Sequence, residues 1–201
     1  MIRNRIPDCY DGRGRELLRP SLIVVHHCSL SHRAKGNPDP IADDLLTGVE
    51  LAKRFADPGL GTGGRVPYHF LILRSGSVDQ LLPLDVRGSH AKGYNNASIA
   101  VCYVGESGPT KAQLVALEKV CAGLVMWTKL VAGAGARITG HTLLPGASVD
   151  PLKVCPHPTC DLGTLKCQVT LRLGYDWRQW PEQRIRLALD GEGFTVPGGT
   201  T

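Results

Sequence analysis

The sequence predicts a single α/β domain with a central mixed β-sheet flanked by helices. Three observations carry that expectation. The run Leu22-Ile23-Val24-Val25 is apolar and mostly β-branched, and it breaks off at His26-His27-Cys28, as a buried strand ending at a site would. Two longer stretches, 40–56 and 110–131, repeat apolar residues at helical spacing. Short apolar segments lie before and between them, an interleaving that places strands and helices in one layered domain. A chain of 201 residues, 42% hydrophobic and 20% charged, has enough apolar side chain for one sizeable core.

Taken in order, residues 1–20 are arginine-rich and without clear periodicity, so they read as an arm on the domain surface, with a turn of helix near 14–18. The strand at 21–27 follows. Residues 31–40 are polar, with Gly36, Pro38 and Pro40, and read as loop. Asp39 suits an N-cap and Pro40 a first turn; Ile41, Leu45, Val49 and Ala52 then recur at helical spacing until Asp57-Pro58-Gly59. The glycine-rich run at 59–64 lacks the Lys-Ser/Thr and the following helix of a phosphate cradle. Segments 68–73 and 77–82, joined by Arg74-Ser75-Gly76, read as a β-hairpin. Residues 97–104 read as a strand. Thr110 and Gln113 form a capping box ahead of the apolar stripe Leu114, Leu117, Cys121, Leu124 and Val125. A short strand at 137–139 ends in Gly140-His141, and a proline-dotted loop runs from 143 to 160. Residues 165–173 are compatible with strand or helix, 181–189 with a short helix, and 191–201 with a mobile tail. The domain plan is therefore an arm at 1–20, a catalytic unit at 21–160 and a packed C-terminal extension at 161–201.

The net charge of +5 suits an anionic polymer, and equally a merely soluble surface. No apolar run approaches the roughly 20 residues of a membrane span. The basic N-terminus has no apolar h-region, so no secretory signal is expected and the chain is expected to start in a cytoplasm. Seven cysteines, an odd number, argue against a disulfide framework. Cys102 and Cys121 sit in apolar stretches as small core residues. Cys155, Cys160 and Cys167 cluster, and at least one of them is expected to ligate metal.

Three features converge on a metal site. His26 ends one strand, His141 follows another, and Cys155 lies in the loop after it. Two imidazoles and a thiolate leave a fourth tetrahedral position for water, the arrangement of a catalytic Zn2+ site.

The segments IVVHHCS, PYHFLILRSGSV, GSHAKGYNNASIAVCYVG and TGH…KVCP together resemble the zinc-dependent N-acetylmuramoyl-L-alanine amidases. They are most similar to the phage endolysin branch, which is related to the peptidoglycan recognition proteins. The resemblance spans about residues 21–156 and implies the fold of that family. It implies His26, rather than His27, as first metal ligand, with His141 and Cys155 completing the set. It implies catalytic roles for Tyr68, where Pro67 replaces the usual preceding glycine, and for Lys153. Two departures stand out. The connection from His141 to Cys155 is longer than the family's, which leaves Asp150 or His157 as alternative third ligands. The cytosolic recycling members carry a glutamate where this chain has Cys102.

The implied reaction is zinc-assisted hydrolysis of the amide between N-acetylmuramic acid and the L-alanine of the stem peptide. The loop at 89–95 is expected to line the substrate groove, with His90, Lys92, Tyr94 and Asn95 as substrate-binding residues; a structural turn held by Asn95 is the other reading. His69 and His27 are expected to face away from the site, and His32 and His157 to lie at the surface. The expected partner is bacterial peptidoglycan, with no membrane or nucleic acid partner and a monomeric state. The chain would act on the wall after release from the host cytoplasm. The alternatives are a non-hydrolytic peptidoglycan-binding module and a regulatory protein such as an RNA polymerase inhibitor. Tyr175, Trp177 and Trp180, beyond the resemblance, suit packing onto the domain or a small wall-binding surface.

Overall fold

The structure is a computed structural model, and it describes residues 2–6, 20–28, 49–50, 66–105, 108–147, 154–174 and 182–192. The turn expected near 14–18, most of the helix expected at 40–56, the glycine-rich run at 59–64, His32, Asp150, Lys153 and the aromatics at 175–180 lie outside these residues.

The described elements are β1 (Ile2–Asn4), β2 (Leu22–Cys28), β3 (Phe70–Ile72), β4 (Val78–Gln80), β5 (Ser98–Val104), α1 (Lys111–Ala132), β6 (Arg137–Gly140), α2 (Leu162–Leu173) and α3 (Glu182–Glu192). The strands form one six-stranded sheet in the order β1-β4-β3-β5-β2-β6. β3 and β4 are an antiparallel hairpin, and every other neighbouring pair is parallel, which makes the sheet mixed as expected. The hairpin turns at Gly76, whose φ of 82° favours glycine.

β2 lies between β5 and β6 and is buried over nearly its whole length. That position explains its continuous apolar run: a strand covered on both faces has no solvent side to alternate toward. Ile23 and Val25 join Ile99, Val101, Tyr103, Phe70 and Ile72 against α1, α2 and α3. The opposite face carries Leu22 and Val24 against Ala91, Leu144 and Ala147, while Cys28 and Cys102 join Val66, Leu71 and Leu81. Among the described residues, all three helices feed the first face and loops cover the second. The candidate site sits under those loops.

The capping box at Thr110 forms as the sequence predicts: its hydroxyl accepts from Gln113 N at 3.1 Å, and Gln113 Oε1 accepts from Thr110 N at 2.9 Å. Gln113 does more than cap. Fully buried, it donates from Nε2 to Ile72 O at 3.1 Å and to Val104 O at 2.8 Å, tying α1 to the ends of β3 and β5.

The structure adds to the sequence reading at both ends of the chain. The N-terminal arm begins with a strand: β1 extends the sheet beside β4, and Arg3 Nε meets the buried Asp79 carboxylate at 2.6 Å. Its pairing uses backbone groups, which side-chain periodicity does not report. The undecided stretch around 165–173 is the helix α2, capped by the Asp161 carboxylate on Gly163 N and Thr164 N, with Leu165, Val169 and Leu173 buried at i, i+4 and i+8. The C-terminal helix also runs past the expected start of the tail, to Glu192.

Replacing Gln113 with Ala removes a hydrogen bond from each of two carbonyls and from the Thr110 amide. We expect a loss of about 2–3 kcal/mol in urea unfolding, against about 0.5 kcal/mol or less for Glu118→Gln, whose only described ion pair is a partly exposed contact with Arg172.

Candidate metal centre

β2 delivers His26 to the loop-covered face and His27 to the other, because successive strand residues point oppositely. His26 is buried, and His27 stacks on Tyr103 with ring centroids 6.0 Å apart. β6 runs parallel to β2 with Val25 opposite Gly140, so the residue after β6, His141, emerges beside His26. Their rings lie 4.6 Å apart.

Cys155 arrives by a different route. Thr142 clamps it: Thr142 N donates to Cys155 O at 2.8 Å, and the Thr142 hydroxyl donates to the same carbonyl at 3.0 Å. Gly140 allows the approach, since a Cβ there would stand 2.6 Å from Pro156 Cδ. The Cys155 thiol is buried, 3.7 Å from His26 Nδ1. One donor atom from each of His26, His141 and Cys155 lies within 4.8 Å of the others, the sole such group of three among the described residues.

The outer nitrogens of both histidines are occupied. His141 Nε2 lies 3.2 Å from Ala147 O, a group that only accepts, so Nε2 carries the proton of the neutral ring. His26 Nε2 meets His90 Nδ1 at 3.0 Å, leaving its Nδ1 toward Cys155. Imidazoles held through the far nitrogen, with a soft thiolate beside them, fit a tetrahedral Zn2+ with an open fourth position.

The ring of Tyr68 packs 5.3 Å from that of His26. Burial, and next the charge Cys102, Cys28 and Cys155 would carry, push its phenol well above its ordinary value, so it remains protonated near neutral pH. Burial raises the Cys102 thiol too. Cys102 is buried as expected, and the β2–β5 register sets it beside His26, so it also faces the site.

The remaining sites fall as follows. His69 does not face away from the site as expected, its ring lying 6.4 Å from that of His90, but its nitrogens serve the fold: Nδ1 accepts from Ala100 N at 3.0 Å and Nε2 donates to Val86 O at 2.7 Å. His157 stands on the far side near His27, its Nδ1 engaged with Thr159, and it is not part of the donor group. Cys160 joins the helix-side core and Cys167 is exposed, so the cysteine cluster is not assembled as a three-thiol metal site. In the 89–95 loop Lys92 is exposed, Tyr94 donates to Pro145 O at 3.1 Å, and Asn95 Oδ1 accepts from His90 N and Ala91 N at 3.0 and 2.8 Å. Burial, and next the neighbouring His69 and His141, lower the His90 pKa well below its ordinary value.

A family model described as N-acetylmuramoyl-L-alanine amidase matches residues 16–158. The chain belongs to the N-acetylmuramoyl-L-alanine amidase family. Members of this amidase family are typically zinc-dependent, and the His-His-Cys group lies within the matched region. The similarity runs to the family's phage endolysin branch. The endolysin of Klebsiella phage KP32 is 36% identical over 99 residues, 45% of this chain and 58% of that protein, so this chain spans little more than half the length of that relative. Peptidoglycan-recognition protein SC2 of Drosophila melanogaster is 27% identical over 135 residues, 64% of this chain and 70% of that one. In fold, the chain is similar to the Ph2119 endolysin from the Thermus scotoductus MAT2119 bacteriophage Ph2119, with a TM-score of 0.60 at 20% identity over 84% of this chain and 99% of that one. Among the described residues no helix is long and apolar enough to cross a membrane.

His69 also sets an acid limit on this amidase fold. Burial lowers its pKa from 6.5 to about 4, so it is neutral in the fold and takes a proton more readily when unfolded. The stabilisation is fully present above pH 6.5 and is lost as pH falls toward 4. The urea stability of the wild type should fall over that window by about 3 kcal/mol more than that of His69→Gln. Parallel pH profiles for the two proteins would contradict this.

Proposed function

We propose that the chain is a zinc-dependent amidase that hydrolyses the amide between the lactyl group of N-acetylmuramic acid and the L-alanine of the peptidoglycan stem peptide. We propose that it acts as an endolysin, on the wall of a host bacterium after release from its cytoplasm. The observation that carries this reading is the convergence of His26, His141 and Cys155, from three separate segments, with their donor atoms within 4.8 Å. These three residues would hold Zn2+. When bound, zinc supplies a Lewis acid for the lactyl carbonyl and makes hydroxide available at about pH 7.

The protein's own groups divide the remaining work. Tyr68, protonated and beside His26, is proposed to orient the water and to give a proton to the departing L-alanine amine. Lys153, two residues before Cys155, is proposed to stabilise the oxyanion as charge develops on the lactyl oxygen. Lys92 is proposed to meet the carboxylates of the stem peptide and Tyr94 to present its ring to sugar, with Asn95 holding the shape of the loop.

The test is release of L-alanine amino termini from purified peptidoglycan. We expect release that a chelator abolishes and Zn2+ restores. Tyr68→Phe should lower kcat by about 100-fold or more with zinc content unchanged. Cys155→Ser should lose both zinc and activity. A zinc-loaded wild type that releases no amino termini from any wall chemotype would defeat the amidase reading in favour of a binding or regulatory role.

A further inference from the structure

His90 stands in the middle of a hydrogen-bond chain that ends at a proposed metal ligand, and each polarity in the chain follows from the one before it. The carbonyl of Tyr94 can only accept, so the Ser98 hydroxyl, 2.7 Å away, donates its single proton there. Toward His90 Nε2, at 3.2 Å, the same hydroxyl oxygen can then only accept, which places a proton on His90 Nε2. In the neutral ring His90 Nδ1 is bare and accepts at 3.0 Å from His26 Nε2. His26 Nδ1 is left with its lone pair toward the Cys155 thiol, 3.7 Å away.

The chain is anchored where it cannot drift. Ser98 is fully buried and pairs with Leu22 at the start of the β2–β5 ladder. The backbone of His90 and Ala91 is fixed by the Asn95 side-chain carbonyl. Both ring nitrogens of His90 are used within the protein.

We infer that His90 is a positioning residue for the metal centre, which with Ser98 and the Tyr94 carbonyl selects the tautomer of His26 that presents Nδ1 to the ion. This reassigns His90 from the substrate groove to the support of the site. It rests on the zinc reading of His26, His141 and Cys155. Partners of this kind hold a ligand ring in orientation and commonly contribute about 10–100-fold in metal affinity.

Two readouts test it, neither of them activity. The first is a long-range 1H–15N spectrum of metal-free wild type, assigned at His26, which should show its proton on Nε2. A proton on Nδ1 would overturn the relay. The second is zinc affinity by competition with a chromophoric chelator. His90→Ala should bind zinc about 10–100-fold more weakly with an unchanged circular dichroism spectrum. His90→Asn, whose side-chain oxygen stands two bonds from Cβ where Nδ1 stood, should recover most of that loss. A folded His90→Ala with wild-type affinity, or a folded His90→Asn as weak as His90→Ala, would overturn the assignment. If His90→Ala does not fold, the wild-type spectrum and His90→Asn still decide. A wild type that binds no zinc defeats the zinc reading itself, whereas a wild type that binds zinc with the His26 proton on Nδ1 defeats only the relay.

Discussion

The site depends on the parallel pairing of β2 with β5 on one side and β6 on the other. That ladder aligns His26 with Cys102 and Val25 with Gly140, so His26 and His141, distant in sequence, stand side by side. Parallel neighbours need long crossover connections, and here one crossover, through α1, separates β5 from β6. The helix earns its place by burying the apolar face of the same strands. A strand buried on both faces is also rigid, which suits a side chain that must be held within a fraction of an ångström.

What the sheet does not fix, short-range hydrogen bonds do. Thr142 holds Cys155 through both backbone groups of that residue, and Gly140 leaves room for the Cys155–Pro156 segment to close against β6. His141 is oriented by the Ala147 carbonyl and His26 by His90. Each donor of the group is thus held by a hydrogen bond to another part of the protein.

Much of this was legible in the sequence, and the exceptions have physical causes. β2 and β5 announced themselves by β-branched apolar runs, and α1 by a capping box and a long stripe, because burial leaves a periodic trace. β1 left none: Ile2, Arg3 and Asn4 join the sheet by backbone bonds and an ion pair to Asp79. α2 buries three residues on an otherwise exposed surface, too thin a stripe to separate helix from strand, although Asp161 ahead of it and Gly174 behind it were cap signals. At the site, the two histidines were visible as residue types at strand ends and Cys155 in the loop that follows the second. The His90–His26 bond joins residues 64 apart in the chain and has no local signature, so the sequence offered no sign of it.

The central claim is that two imidazoles and one thiolate form a single zinc site. X-ray absorption at the zinc edge of the reconstituted protein tests it most directly. The account predicts one sulfur at about 2.3 Å and a nitrogen and oxygen shell at about 2.0–2.1 Å. A shell of nitrogen and oxygen alone would remove Cys155 from the site and contradict it.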